Sequence, residues 1–143
     1  MPADVLADLC PPRVFVLATA SADGIPATTS VSWLMPRDEQ RLVLALDRRG
    51  LAYRNALENP HAALEVTIGE FAGTLRGRLR LVCEQLERTP FPCAAFLFEV
   101  EEIRDHAAPG VVLEPATYSF SRSKNHYRAR QAEIAAELAS LVR

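Results

Sequence analysis

The segment LVLALDRRGLAYRNALENPHAALEV, residues 42–66, passes through three local patterns in turn. An apolar run over residues 41–47 predicts a strand rich in β-formers. Apolar residues then recur at spacings of three and four, which predicts a helix over residues 51–58. The helix ends at Asn59-Pro60, and residues 61–68 predict the next strand. The apolar stripe of the predicted helix consists of Ala52, Tyr53, Ala56 and Leu57.

The turn between this strand and this helix carries two adjacent arginines, Arg48 and Arg49, followed by Gly50. A helix N-terminus presents unpaired N–H groups and the positive end of the helix dipole, so an anion is stabilised there. Arginine adds a planar fork of donors that matches phosphate oxygens. Two interpretations are open at this point: a solvated polar turn, or a turn that binds an anion.

Strand patterns also occupy most of the remaining chain. The predicted strands are residues 13–20, 27–35, 41–47, 61–68, 74–82 and 93–103. The first three are joined by turns too short for parallel crossovers, which predicts an antiparallel meander. The six strands and the inserted helix predict a mainly β fold with flanking helices, a six-stranded split antiparallel barrel of Greek-key type. No G-x-G-x-x-G follows a strand, which excludes a Rossmann fold.

Helices are predicted at both ends of a single domain, since 143 residues suffice for one core. A short helix precedes the Pro11-Pro12 break, and a last helix is predicted at about residues 124–142. Its apolar side holds Tyr127, Ile134, Leu138 and Leu141.

Composition narrows the function classes. The formal net charge of -2 argues against a dedicated nucleic-acid binder. No apolar run approaches the ~18 residues that span a membrane, and the acidic N-terminus is unlike a signal peptide, so a cytoplasmic location is expected. No metal site is predicted, because the cysteines and histidines are scattered and form no C-x-x-C pair. These residues are Cys10, Cys83, Cys93, His61, His106 and His126.

Two groups of basic residues allow several interpretations. Arg76, Arg78 and Arg80 share one face of the strand at 74–82, opposite Leu75, Gly77, Leu79 and Leu81. Three interpretations of this arginine row are open: a solvated face, a reach across a dimer interface towards a phosphate, and a contact with nucleic acid. The stretch at 121–130 faces acidic residues or lines a pocket for an anionic substrate. The acidic candidates are Glu99, Glu101 and Glu102.

The order of these motifs resembles the pyridoxamine 5'-phosphate oxidase-like, FMN-binding split-barrel family. The resemblance is carried by LATASADGIPATTSVSW (17–33), by the segment at 42–66 and by LRGRLRLV (75–82). It covers roughly the first two-thirds of the chain. It implies that FMN lies across the interface of a homodimer, with the second strand, Thr28 included, beside the isoalloxazine ring and the arginine turn at the phosphate. The implied cofactor-binding residues are Thr29, Ser30, Val31, Ser32, Leu46, Asp47, Arg48, Arg49, Gly50, Leu51 and Ala52.

The resemblance implies an FMN-dependent oxidoreductase acting on a small molecule that it does not identify, and it names no catalytic side chain. The alternatives are a flavin reductase-like or deazaflavin-dependent enzyme, and a non-catalytic module that stores flavin or haem. The chain departs from the family in two places. Relatives often carry a Ser or Thr and a Lys in the turn where this chain has Gly50, Leu51 and Ala52. A true pyridoxine phosphate oxidase is not expected, because Trp33 is the only tryptophan and the tail lacks the substrate-contacting motif.

Trp33 and Leu34 are adjacent on a predicted strand, so their side chains point to opposite faces. Both are buried only if the outer face is covered as well. A second copy of the chain is the simplest cover, and the C-terminal helix of the same chain is the competing one.

Overall fold

The computed structural model describes residues 1–9, 13–114, 116–119, 121 and 129–141. Helices α1, α2 and α3 span Ala3–Asp8, Leu51–Glu58 and Arg130–Leu141. The strands are β1 Phe15–Ala20, β2 Pro26–Val31, β3 Leu34–Pro36, β4 Arg41–Asp47, β5 His61–Ile68, β6 Phe71–Cys83 and β7 Cys93–Asp105. Cys10, the Pro11-Pro12 break, His126, Tyr127 and the predicted start of the last helix lie outside the described residues.

All seven strands form one antiparallel sheet in the order β2-β1-β5-β6-β7-β4-β3. The two edge strands, β2 and β3, are separated along the chain by Ser32 and Trp33 alone. Consecutive Cα atoms are about 3.8 Å apart, so Val31 and Leu34 are at most about 11 Å apart. The sheet therefore has to curl until its edges approach each other, and the prediction of a mainly β split barrel with flanking helices is confirmed.

The number of strands and the first part of the topology differ from the prediction. The single strand predicted over residues 27–35 is two strands: β2 pairs with β1, and β3 pairs with β4. The antiparallel pairings predicted between consecutive segments are present, β1 with β2 and β3 with β4, but the middle segment divides between the two edges of the sheet, so the three segments do not lie side by side. Between the two strands the Trp33 carbonyl accepts a hydrogen bond from the Ala45 N–H at 2.9 Å. The chain thus leaves one edge of the sheet and joins the other.

Strand β4 and the first half of β7, residues 93–98, are buried on both faces, which explains their unbroken apolar runs. One face lies inside the barrel with the largest apolar cluster, and the other lies under α3. The barrel interior includes Leu17, Leu44, Leu64, Leu75, Phe96 and Phe98, all of them fully buried. The cluster under α3 includes Val43, Leu86, Cys93, Leu97, Ile134 and Leu138.

Strand β6 alternates as predicted, with Leu75, Gly77 and Leu79 buried and the three arginines exposed. Arg76 forms an ion pair with Glu102, and Arg78 Nε lies 2.9 Å from Glu101 Oε1. These pairs favour the interpretation of the row as a solvated face, and exposed pairs of this kind contribute only about 0–1 kcal/mol each. They also give Glu101 and Glu102 partners on β6. Residues 122–128 of the basic stretch, for which these carboxylates were one predicted partner, lie outside the described residues.

Helix α2 has the predicted bounds but only part of the predicted buried face. Leu57 is 51% exposed, whereas Asn55 is 4% exposed and donates from Nδ2 to Thr19 Oγ1 at 3.1 Å. The spacing of apolar residues predicts that Leu57 is buried. Instead, the helix packs on β1 through the side-chain amide of Asn55, and Leu57 stays exposed. A buried polar group is tolerated because it is hydrogen-bonded.

Helix α3 covers the outer face of Trp33 within the same chain. Trp33 Nε1 donates to Gln131 Oε1 at 3.1 Å, and Arg37 Nη1 donates to the Ala139 carbonyl at 3.0 Å. Ile134 and Leu138 anchor the helix in the core. The cover predicted from the Trp33-Leu34 pair is therefore the C-terminal helix, and Trp33 itself gives no argument for a partner. Within the described part of the chain, no helix has the length and apolarity needed to cross a membrane.

A substitution at Gly77 tests the close packing of β6 against β7. This residue lies at an irregularity in the β6–β7 pairing, and a Cβ there would overlap the Glu99 carbonyl oxygen. We expect Gly77→Ala to lower the free energy of unfolding by about 3 kcal/mol or more, because the clash is with backbone. Urea unfolding followed by Trp33 emission measures it. Arg78→Ala on the exposed face is the control and should cost less than about 1 kcal/mol; equal losses would contradict the packing.

Candidate functional site

A cavity of about 500 Å³ opens between β2 and the start of α2 on one side and the start of β7 and α3 on the other. This volume falls in the range typical of small-molecule sites. Its lining residues are Thr19, Ala27, Thr28, Thr29, Ser30, Val31, Ser32, Trp33, Ala45, Leu46, Asp47, Gly50, Leu51, Ala52, Phe91, Cys93, Tyr118 and Gln131. All of the predicted site residues except Arg48 and Arg49 are among them.

Strand β2 supplies one wall and carries polar groups that the protein leaves available. It is an edge strand, so the N–H and C=O groups on its open side pair with no other strand of the sheet. Ser32 Oγ is buried, and the described residues give it no hydrogen-bond partner. A buried hydroxyl without a partner costs about 1–3 kcal/mol. A ligand that exchanges a hydrogen bond with Ser32 would recover that cost.

The first turn of α2 forms the adjoining part of the cavity. Its N-cap is Gly50, which has no side chain to accept from the first-turn N–H groups, and the turn holds no acidic residue. The Gly50 N–H donates to the Asp47 carbonyl at 3.0 Å, which orients the turn. The helix N-terminus is thus uncapped where Gly50, Leu51 and Ala52 line the cavity. This arrangement favours an anionic group of a ligand.

The two arginines of the turn are next to cavity-lining residues in the chain, and their side chains form hydrogen bonds with other residues of the protein. Arg49 forms a bidentate ion pair with Asp47, in which Nε donates to Oδ1 at 3.0 Å and Nη2 donates to Oδ2 at 2.9 Å. Its guanidinium also lies 5.3 Å from the centre of the Phe91 ring. Arg48 Nη1 donates to Gln85 Oε1 at 2.9 Å. The predicted phosphate contacts of these arginines stay a prediction.

Asp47 is the charged side chain among the described lining residues. The hydrogen bonds from Arg49 hold the pKa of the Asp47 carboxyl below its usual value, against a smaller opposing effect of burial. The same contact raises the pKa of Arg49. Both groups are therefore ionised at neutral pH, and each neutralises the other.

The opposite wall was not predicted from the sequence. Phe91 stacks on Trp33 with ring centroids 5.3 Å apart, and Gln131 and Tyr118 complete the wall. The loop that carries Phe91 is fixed by Glu137 of α3, which accepts from the Glu87 and Arg88 N–H groups at 2.6 and 2.9 Å. Loop and tail are far apart in sequence, and the Trp33-Leu34 pair was the one signal that this face is covered.

Thiol and imidazole groups add little reactive chemistry here. Cys93 is buried, and burial raises the pKa of its thiol to about 11. Of the described histidines, His61 lies outside the cavity, and so does His106, whose Nε2 is 3.1 Å from Glu65 Oε1. The described residues hold no cluster of His, Cys, Asp and Glu that could bind a metal ion. The cavity is therefore built for binding through amides, hydroxyls and rings.

The raised pKa of Cys93 makes this thiol unreactive. In a Cys10→Ser, Cys83→Ser background at pH 8, the shift from 9.0 to about 11 lowers the thiolate fraction roughly 100-fold. Since the thiolate is the nucleophile, we expect alkylation by iodoacetamide to be at least that much slower than for glutathione. Mass spectrometry follows the reaction, and the urea-unfolded protein is the control. A rate within tenfold of glutathione would contradict the buried placement.

Solved structures with the same fold include proteins of different kinds. HupZ of Group A Streptococcus is 15% identical, with a TM-score of 0.63, over 83% of this chain and 100% of that one. An F420 reductase is 18% identical, with a TM-score of 0.59, over 73% and 98%. HutZ, the haem storage protein from Vibrio cholerae, is 11% identical, with a TM-score of 0.56, over 71% and 89%. At these identities the likeness shows the fold alone.

Comparison with curated proteins gives no match. The family model described as pyridoxamine 5'-phosphate oxidase matches residues 1–115, which include the split β2–β3 segment, the arginine turn and helix α2. With most of its length covered by that model, the chain belongs to the pyridoxamine 5'-phosphate oxidase family.

Proposed function

We propose that the protein binds FMN in this cavity and is an oxidoreductase acting on a small molecule. The observation that carries the proposal is the juxtaposition of an uncapped helix N-terminus with the open strand β2 and with the unpartnered Ser32 hydroxyl that directly follows it. FMN has a phosphate at one end and a polar-edged ring at the other, so the two features fit its two ends. When bound, FMN would supply the electron-transfer chemistry.

At the phosphate end, the N–H groups of the first turn of α2 would hold the anion. The helix dipole favours negative charge at this position. Gly50, Leu51 and Ala52 replace the hydroxyl and lysine that relatives often carry, so backbone groups have the larger share. Arg48 is the more available of the two arginines for the phosphate, because its hydrogen bond is to the neutral Gln85 rather than to a carboxylate.

At the ring end, the open backbone of β2 from Thr29 to Ser32 would meet the polar edge of the ring. The stacked Trp33 and Phe91 form the facing wall and offer the ring an aromatic surface. Cys93 stays protonated and Asp47 stays ionised and paired, so neither supplies a nucleophile or a proton at neutral pH. The chain's own residues bind and orient, and no catalytic side chain is proposed.

Haem binding and deazaflavin chemistry are the alternatives, since HutZ is a haem storage protein and another structural neighbour is an F420 reductase. Haem iron needs an axial ligand such as His, Met, Tyr or a Cys thiolate. The described lining residues offer Tyr118 and a protonated Cys93, with no histidine among them. The uncapped helix N-terminus favours a ligand with one terminal phosphate. A cytoplasmic location belongs to the same proposal, because Cys83 and Cys93 are free thiols.

Titration of the purified protein with FMN, riboflavin, F420 and haemin tests the assignment. We expect FMN to bind most tightly and riboflavin at least tenfold more weakly, because each charge-assisted hydrogen bond to the phosphate is worth roughly 1.5–3 kcal/mol. Fluorescence and the visible spectrum report binding. Equal affinity for riboflavin and FMN would contradict the phosphate site. A Soret band at stoichiometric haemin, without FMN binding, would contradict the flavin assignment and support haem binding.

A charge variant of the same experiment isolates the helix N-terminus. Leu51 is 51% exposed and lines the cavity, so Leu51→Glu places a carboxylate in the first turn with little effect on the core. FMN affinity should fall about tenfold or more by repulsion of the phosphate, while riboflavin affinity stays within twofold. Leu51→Gln is the uncharged control of matched size. If both variants bind FMN alike, the phosphate is held elsewhere.

A homodimer that encloses the flavin is part of this proposal. It is supported by the open edge of β2, where the cavity-lining Thr28 and Ser30 are exposed in the single chain. Light scattering on the FMN-loaded protein should give the mass of two chains, because a second copy is the simplest cover for this edge. A monomer with full FMN occupancy would overturn the shared site.

A further inference from the structure

Asp47 carries a negative charge into the part of the cavity that otherwise favours anions. Asp47 lines the cavity together with Gly50, Leu51 and Ala52. Both of its oxygens are taken by Arg49, and Oδ1 also accepts from the Arg49 N–H at 2.9 Å. The carboxylate therefore already occupies donors of Arg49 beside this turn.

The geometry of Arg49 indicates that a phosphate and Asp47 cannot share the same donors. The Nε and Nη2 groups form the bidentate edge of the guanidinium, and Asp47 occupies that edge. The Arg49 guanidinium carbon also lies over the Phe91 ring, which stacks on Trp33. An incoming phosphate must therefore displace the carboxylate from this edge or bind without it.

A second observation at the cavity is independent of this turn. Ser32, in the link that follows β2, lines the same cavity, and its Oγ is buried without a hydrogen-bond partner among the described residues, so a ligand group that reached it would gain a hydrogen bond. The anionic side chain at Asp47 thus faces a site that a ligand is expected to fill, and it is not a surface charge of the turn alone.

We propose that Asp47 is an internal competitor for the phosphate, which occupies the bidentate edge of Arg49 and thereby sets how strongly the site prefers phosphorylated over unphosphorylated ligands. The inference rests on the proposed function, because it takes the phosphate site to be the start of α2. It assigns Asp47 the opposite role from a cofactor-binding residue. The rival role, in which Asp47 holds Arg49 in place for the phosphate, predicts a change of opposite sign.

Asp47→Asn tests the two roles. The amide keeps an oxygen that accepts from the Arg49 N–H, so the turn is retained while the charge is removed. The readout is the ratio of the dissociation constants of riboflavin and FMN, in which any general loss of flavin binding cancels. We expect the ratio to rise about tenfold, through tighter FMN binding, because one repulsive charge is removed and the arginine edge is released. A lower ratio would establish the positioning role and overturn the proposal.

Asp38→Asn is the matched control. Asp38 forms the same kind of ion pair, Arg41 Nε to Asp38 Oδ2 at 2.7 Å, but neither residue lines the cavity. The ratio of the riboflavin and FMN dissociation constants in Asp38→Asn should equal that of the wild type. An equal rise in both variants would mean a general effect of net charge, which overturns the proposal.

The Arg49→Gln background shows whether Asp47 acts through Arg49. Competition predicts a clearly smaller gain from Asp47→Asn in this background than with Arg49 present. An equal gain in both backgrounds would overturn the competition for the arginine edge.

Inorganic phosphate separates this inference from the proposed function. Its stabilisation of the flavin-free protein, read as the thermal shift between low and high phosphate at constant ionic strength, should be larger in Asp47→Asn than in the wild type. If the wild type binds neither flavin, the proposed function fails, and this measurement alone decides the inference. A larger shift then supports it, and an equal shift overturns it.

Discussion

The link of Ser32 and Trp33 between two opposite edges of one sheet is the constraint on which the remaining structure depends. Its short length forces the sheet to curl, because a flat sheet of seven strands would separate its edges by about 28 Å at the usual strand spacing. The link also creates the site. Ser32 ends the β2 wall with a buried hydroxyl, and Trp33 begins the aromatic wall that faces it.

The second element of the site depends on how α2 is fastened to this curled sheet. The buried hydrogen bond from Asn55 to Thr19 and the bond from Asn59 Nδ2 to the Ser21 carbonyl hold the helix on β1. They leave its uncapped first turn, which follows Gly50, at the cavity. The fold thus devotes polar contacts to fixing the helix and leaves its N-terminal donors for a ligand, as preorganised binding sites require.

Charge balance at this turn distinguishes the chain from a simple anion cradle. Two arginines in sequence suggest a strongly positive site, but Asp47 takes the fork of Arg49. The neighbouring wall is uncharged among its described residues, with a protonated Cys93 between aromatic and amide groups. Binding would therefore rest on directed backbone dipoles more than on net charge, which makes its selectivity sensitive to one carboxylate.

Local patterns in the sequence predicted the bounds of α2, the alternation of β6 and the turn at Arg48 and Arg49, whereas the family resemblance pointed to the residues of β2 that line the cavity. Periodicity and turn chemistry act over neighbouring residues, so these patterns can be read along the chain. Three features became visible only in the folded chain: residues 27–35 break into two strands, Asn55 rather than Leu57 is buried, and Arg49 pairs with Asp47. The tertiary structure also brought Phe91 and Gln131 to Trp33. Those outcomes depend on contacts between distant segments, where packing and hydrogen bonding outweigh local propensity and no spacing along the chain records the partner.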